Sequence, residues 1–571
     1  MKKVIALLLS LSMISALAGC KKKSEETTKK TKKTTETEVT ETEAEESETE
    51  TEATSEDTEP SESESSSEPE TKPGTGLKDF KLSSDFIVRN DQKNLEYEFV
   101  STDRAFAVPT SDGRFGMIRK DASKIQFSDA EIEAHNQLWN TLESQSAELN
   151  YVLDGQYNTL RPQLVSSIKD GSFSTDTHLN GAIWVYRADT DIFSYAIHQE
   201  IYSASLNNNS VISHTYRASD GMEYFFEDVV TDRAGFADFF EKFFSSSKAD
   251  EYEKGYAKDF AKDLRNENEK IEFVISYDAI YLINTKLANP HFFKIPAMYA
   301  ADYLDVSIFG STPEYYALEA DAYNSITWDI DGDGALDLIS VDYETDEYGA
   351  MIGANISING EAKGAIPGDL LGNGDNYYYY GFNLMKTDSG FYAYLATTFE
   401  GESASTFVFH YENGQFVYVN DFVSTFGYND VYGISPYYDP SRFVVHDTND
   451  IMGTAYIDTT CSVIGNNGMP VKTADFASKQ GVGISKKEIT ATKIDENGNP
   501  AGTITIPANT AISLIGVDLE KDLGLFTTLE EDESTNTVFQ LKVTISDGYK
   551  IAYGDEQIPQ EDLFSGIRYA G

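Results

Sequence analysis

The sharpest chemistry in this 571-residue chain lies in one short run, Asp329-Ile330-Asp331-Gly332-Asp333-Gly334-Ala335-Leu336-Asp337. Carboxylates stand at the first, third, fifth and ninth positions, and the backbone carbonyl of Ala335 falls at the seventh. A hard divalent cation such as calcium takes about six to eight oxygen ligands, and this spacing offers them. Asp329, Asp331, Asp333, Ala335 and Asp337 are therefore the candidate ligands, with Ca2+ the expected ion. Gly334 permits the tight turn that aims these groups inward. Clustered carboxylates repel one another when no cation is bound, so calcium is expected to stabilise this part of the chain. Ile326 and Trp328 before the run, and Ile339 and Val341 after it, place it between strands, with Leu336 and Leu338 anchoring it in the core. A second run, Asp369 to Asp375, has a similar form, but Leu371 replaces an oxygen donor and no metal is expected there.

The tyrosines are the other candidate surface. Of 35 in the chain, Tyr377, Tyr378, Tyr379 and Tyr380 are consecutive. Side chains alternate across a strand, so two of the four should face outward or line a groove of the kind that binds sugars or proteins. Packing beneath a neighbouring loop or against an adjacent domain is the competing reading. For catalysis there is little. None of the seven histidines falls in an H-E-x-x-H spacing, and there is no G-x-S-x-G elbow or Gly-rich phosphate loop. Cys461 sits in a strand-like context and reads as a buried structural thiol. No catalytic residue is assigned, and the expected role is non-catalytic.

The ends and the charge say where such chemistry would operate. The chain opens MKKVIALLLSLSMISALAGC: two lysines, an apolar stretch, then Leu-Ala-Gly-Cys. This resembles the bacterial lipoprotein signal, which implies cleavage before Cys20, a lipid on its thiol, and anchoring at the extracytoplasmic face of the cell membrane. From Lys21 to about Gly76 the chain is nearly all Lys, Thr, Glu and Ser, with lysines first and glutamates after, and is expected to be a disordered tether. The net charge is -50, from 95 acidic and 45 basic residues, which argues against nucleic acid and favours cations and basic partners. With Cys20 acylated, Cys461 has no partner for an intramolecular disulfide.

The remainder is too long for a single core. Three units are expected after the signal peptide (1–19) and tether (20–76): an α+β domain (77–311), a β domain with the aspartate run (312–450), and a C-terminal β domain (451–571), the last a small barrel or sandwich. In the first unit a helix is read from Asp129 towards Leu164, started by Ser128, with Gly155 arguing against continuity through Leu160. Strands follow at Gly181 to Tyr186, Ile192 to Ser203 and Val211 to Arg217. Glu412-Asn413-Gly414 reads as a hairpin turn in the second unit, as do Asp495 to Gly498 and Asp547-Gly548 in the third.

Within the first unit, the stretch from Trp184 to Phe240, with Asp220-Gly221 followed by Glu227-Asp228-Val229-Val230, and then a strand from Phe273 through Leu282, resembles the bacterial extracytoplasmic DUF3298 (RsiV-like) domain, usually preceded by a DUF4163 region. That family includes a membrane receptor that releases a sigma factor when lysozyme binds outside, domains attached to peptidoglycan deacetylases, and many lipoproteins. This chain departs from the receptor in opening on a cleaved signal, and from the deacetylases in showing no downstream metal triad. The family's Gly- and His-bearing turn is replaced by Ala204 to Ser210, so no function of that turn is carried over. The aspartate run resembles the calcium loops of FG-GAP or VCBS repeats. The resemblances imply a surface-tethered binding or sensing lipoprotein that recognises an extracellular protein, such as a lysozyme-like one. The alternatives are a carbohydrate or cell-wall polymer bound through tyrosines, and a cell-wall-modifying enzyme with an unrecognised site.

Overall fold

The computed structural model describes residues 77, 80–110, 115–169, 177–203, 206–247, 251–368, 370–371, 377–399, 402–423, 428–429, 433–434, 439–546 and 550–569. Cys20, the tether, Asp369, Asp375 and the Asp547-Gly548 turn lie outside the described residues. Thr71–Gly571 clusters as one compact unit.

The first sheet runs Tyr97–Ser101, Phe115–Phe127, Thr177–Ala188, Ile192–Ser203 and Leu206–Arg217, with Arg104–Pro109 also paired to Phe115–Phe127. Phe115–Phe127 and Thr177–Ala188 are parallel, so the chain must cross over between them, and a helix does so. Ser128 caps a first short helix, Asp129–Ala134, by accepting the Glu131 N–H. After a break at His135, Asn136–Lys169 continues as one helix through both Gly155 and Pro162. The expected interruption at Gly155 does not occur. A Cβ there would face open space, so the glycine costs about 1 kcal/mol of intrinsic propensity. Burial of Leu149, Leu153, Tyr157 and Leu164 against the sheet outweighs that. Gly181 allows the close approach, since a Cβ there would meet Leu153 Cδ1 at 2.7 Å. The third hairpin strand begins at Leu206, so most of the expected 204–210 loop is strand.

Helices Arg233–Ser246 and Glu251–Leu264 follow, then an antiparallel sheet of Glu272–Ile275, Ala279–Asn284 and His291–Pro296. Next comes a β sandwich. One sheet is the meander Ser325–Trp328, Asp337–Thr345, Met351–Ile358, Glu361–Ala365. The other orders Tyr316–Glu319, Tyr377–Thr387, Gly390–Phe399, Glu402–Glu412, Gln415–Val423. Asn413 and Gly414 take positive φ of 52° and 76° between Glu412 and Gln415, as a two-residue hairpin turn requires. The inner faces share a buried cluster that also holds Phe240, Phe273, Phe293 and Phe309, so apolar packing is continuous across 311/312. The N-terminal segment is built into this cluster. Leu77, Phe80 and Phe86 are buried in it, and Arg89–Asn90 pairs in parallel with Ser311–Thr312.

The outer face of the second sandwich sheet is covered too: Met385, Tyr392, Tyr394 and Val408 pack with Phe443, Cys461 and Val463. The C-terminal sheet runs Phe443–Asn449, Ala455–Ser462, Ala477–Ser485, Ala511–Asp518, Leu523–Thr528, Val538–Ser546, Ile489–Ile494, Pro500–Ile506. Among the described strands this is an open path with branches, and no closed barrel forms.

Candidate metal centre

The aspartate run joins two antiparallel strands, with Trp328 paired to Asp337 at its neck. Trp328 is fully buried and its Nε1 donates to Tyr316 Oη at 3.0 Å, which fixes the first strand. Ile330 is buried, and Leu336 and Leu338 pack against the sandwich core, so the apolar residues of the run hold its ends down. The polar ones are left at the surface. Gly332 and Gly334 both have positive φ, 78° and 89°, where the sequence had singled out only Gly334.

The loop folds around its own carboxylates. Asp329 Oδ1 accepts the Gly332 N–H at 2.8 Å and its Oδ2 the Gly334 N–H at 3.1 Å. Asp331 Oδ1 accepts from Asp333 N at 3.1 Å, and Asp333 Oδ1 from Ala335 N at 2.7 Å. Asp329, Asp331 and Asp333 each place a carboxylate oxygen within 4.8 Å of the others. Asp337 stands outside this trio and is held from the turn after Met351–Ile358. Asn359 Nδ2 donates to Asp337 Oδ1 at 2.8 Å, while Asn359 Oδ1 accepts the Leu338 N–H at 2.9 Å. Partial burial raises the Asp337 carboxyl above its ordinary range; the Asn359 bond opposes this and Asp331 and Asp333 add to it. Tyr411 on the facing sheet lies in the same field: its phenol is pushed up by burial, then by Asp331 and Asp337.

The donor set fits a hard cation. It is all oxygen, Asp331 and Asp333 are exposed so that water can complete the shell, and their Oδ2 atoms accept no hydrogen bond among the described residues. Sequence reasoning missed Asn359 and Tyr411. Asn359 carries one cue, a turn Asn before Gly360, and takes φ 52°. Tyr411 carries none.

Tyr377, Tyr378, Tyr379 and Tyr380 are all half-buried. Tyr379 stacks on Tyr343 with centroids 4.7 Å apart, and Tyr377 meets Phe407 edge-on at 6.4 Å. Both pack against the sandwich core, whereas Tyr380, at a bulge in the ladder, packs towards the C-terminal sheet. The sides alternate as expected, but each side of this sheet has its own covering layer. Cys461 is buried, and burial pushes its thiol up to about 11. Among the described residues no helix is long and apolar enough to cross a membrane.

Two solved structures are similar to part of this chain. A DUF3298 family member from Bacteroides fragilis NCTC 9343 is 12% identical, with 37% of this chain and 95% of that chain covered and a TM-score of 0.26. A DUF3298 family protein from Pseudomonas aeruginosa PAO1 is 12% identical, with 38% and 97% covered and a TM-score of 0.26. No family model matches the chain, and no curated relative matches it.

Proposed function

We propose that this protein is a non-catalytic binding lipoprotein, carried on the extracytoplasmic face of a membrane by lipid on Cys20. In this reading a DUF3298-type α+β part and a calcium-stabilised sandwich present an acidic surface to a basic extracellular protein of lysozyme-like charge. The observation that carries the reading is the loop trio of half-buried Asp329 and exposed Asp331 and Asp333, whose carboxylate oxygens lie within 4.8 Å of one another. Exposed loops of this kind suit the high calcium concentrations outside cells, where affinities of about 10⁻⁴ to 10⁻³ M suffice. The net charge of -50 supplies long-range attraction for a basic partner and a salt-sensitive association rate.

The test is retention of lysozyme by the immobilised protein with calcium, with chelator, and across a salt series, beside purified peptidoglycan as a second ligand. The reading expects lysozyme capture that weakens with salt and with chelator. Capture of peptidoglycan alone, unaffected by salt, would replace the protein partner with a wall polymer.

A further inference from the structure

A cleft of about 940 Å3 opens where four parts of the fold meet: the segment from Asn90 to Glu98, Gln126 to Ser128 at the end of a strand of the first sheet, Glu314-Tyr315 at the start of the sandwich, and the turn from Asp439 to Arg442. It shares no residue with the aspartate loop, and its chemistry does not depend on calcium.

Arg442 is the anomaly in its wall. Eight described arginines, at 89, 104, 119, 161, 187, 217, 233 and 265, have a carboxylate partner. Arg568 donates to a backbone carbonyl. The Arg442 guanidinium has no ion pair or hydrogen bond among the described residues, and its Nη1 is buried without a partner. Asp439, on the same turn, accepts from Ser441 Oγ at 2.6 Å and Ser441 N at 2.9 Å through Oδ1, and feels the Arg442 charge without forming an ion pair with it among the described residues. The group is nevertheless positioned, lying 5.7 Å over the Tyr97 ring. A half-buried guanidinium held in place with unused donors matches the planar, two-oxygen acceptor of a carboxylate.

The rest of the lining narrows the ligand. Lys93 adds a second cation without an ion pair among the described residues, while Glu96, Glu98 and Glu314 are exposed along the same cleft. With Asp439, these glutamates make four carboxylates in the lining, which oppose a polyanion and favour a ligand that also carries an ammonium group. The volume suits a short peptide, within the usual range of about 300 to 1,000 Å3 for small-ligand sites. We propose that this cleft binds a peptide end with a free carboxylate, held by Arg442, and an amino group, held by the glutamate wall.

The test is titration of the full-length protein with the tripeptide Lys-Ala-Ala and with its C-terminal amide, followed by calorimetry and ligand-observed NMR. The free acid should bind at least tenfold more tightly than the amide. Arg442→Gln should abolish that difference, and Arg442→Lys should keep part of it. Should Arg442→Gln fail to fold, the comparison of acid and amide on the unaltered protein still decides. Equal binding of the two, binding of neither at millimolar concentration, or displacement of the peptide by inorganic phosphate at equal concentration would overturn the assignment.

Discussion

Asn359 holds Asp337 by a 2.8 Å hydrogen bond although 22 residues separate them, and among the described residues it is the only side chain from outside the loop to bond any of the four aspartate carboxylates. Asn359 thus acts as an outer support for the loop proposed to hold calcium. Removing such a support commonly costs about tenfold or more in metal affinity. Asn359→Ala should shift the calcium midpoint, read from calcium-dependent thermal unfolding, to about tenfold higher concentration. An unchanged midpoint would mean that Asp337 plays no part in binding.

Removing calcium should matter only through the trio. Asp331→Asn together with Asp333→Asn should unfold at the same temperature with calcium and with chelator. If chelator lowers the unfolding temperature of the double variant as much as that of the parent, the cation sits elsewhere.

Glu533 joins the C-terminal sheet to the first sheet and its helix. It accepts from Arg104 Nε at 2.9 Å, Arg161 Nη1 at 3.0 Å and Tyr157 Oη at 3.1 Å. Glu533→Ala removes a shared acceptor and leaves Arg104 only Asp154 and Arg161 only the Glu531 carbonyl as strong partners, and a loss of about 1 to 3 kcal/mol is expected in urea unfolding. A change within error would show that water replaces the carboxylate without cost.

Stability should fall as pH rises through the range where Glu319 titrates. Burial lifts its carboxyl from 4.5 to about 7, with repulsion from Asp278 adding and Lys294 and Tyr281 opposing. Between these values the folded state keeps a proton that the unfolded state has released, so the folded state loses stability as pH rises from about 4.5 to about 7. Asp321, lifted mainly by burial to about 6, acts in the same direction. Glu319→Gln should therefore unfold at higher urea than the parent at pH 8 and at the same urea at pH 4. The reverse order at pH 8 would show that the ionised carboxylate, beside Lys294, is the stabilising form.

The proposed lipid anchor predicts a change of fraction. Cys20→Ala should move the protein from the membrane fraction to the soluble one. In the native parent Cys461 should stay unreactive towards a thiol reagent at pH 8, because burial holds it as the thiol. Prompt labelling of Cys461 would place it nearer the surface.

What could be read from the sequence was local. Ser128 as a cap, the Asn413-Gly414 turn, the strand Ile192–Ser203 and the spacing of Asp329, Asp331 and Asp333 each depend on a few neighbouring residues. What escaped depends on contacts between distant residues. The helix runs on past Gly155 because Tyr157 and Leu164 find a sheet to cover. Tyr377 to Tyr380 are half-buried because a layer lies on each side of their sheet, which no local pattern announces. Asn359 and Arg442 look like ordinary turn residues until the strands and the cleft are assembled.

The way the chain enters its core bears on how it would carry a load. A pull transmitted from ahead of Leu77 meets Leu77, Phe80 and Phe86 in the largest buried cluster, then the backbone bonds from Arg89 to Gly310 and from Gln92 to Thr312. The parallel pairing of Arg89–Asn90 with Ser311–Thr312 ties that point to the junction between the α+β part and the sandwich. Such a pull would therefore be resisted where the two parts share their packing, before it could peel either one from its end.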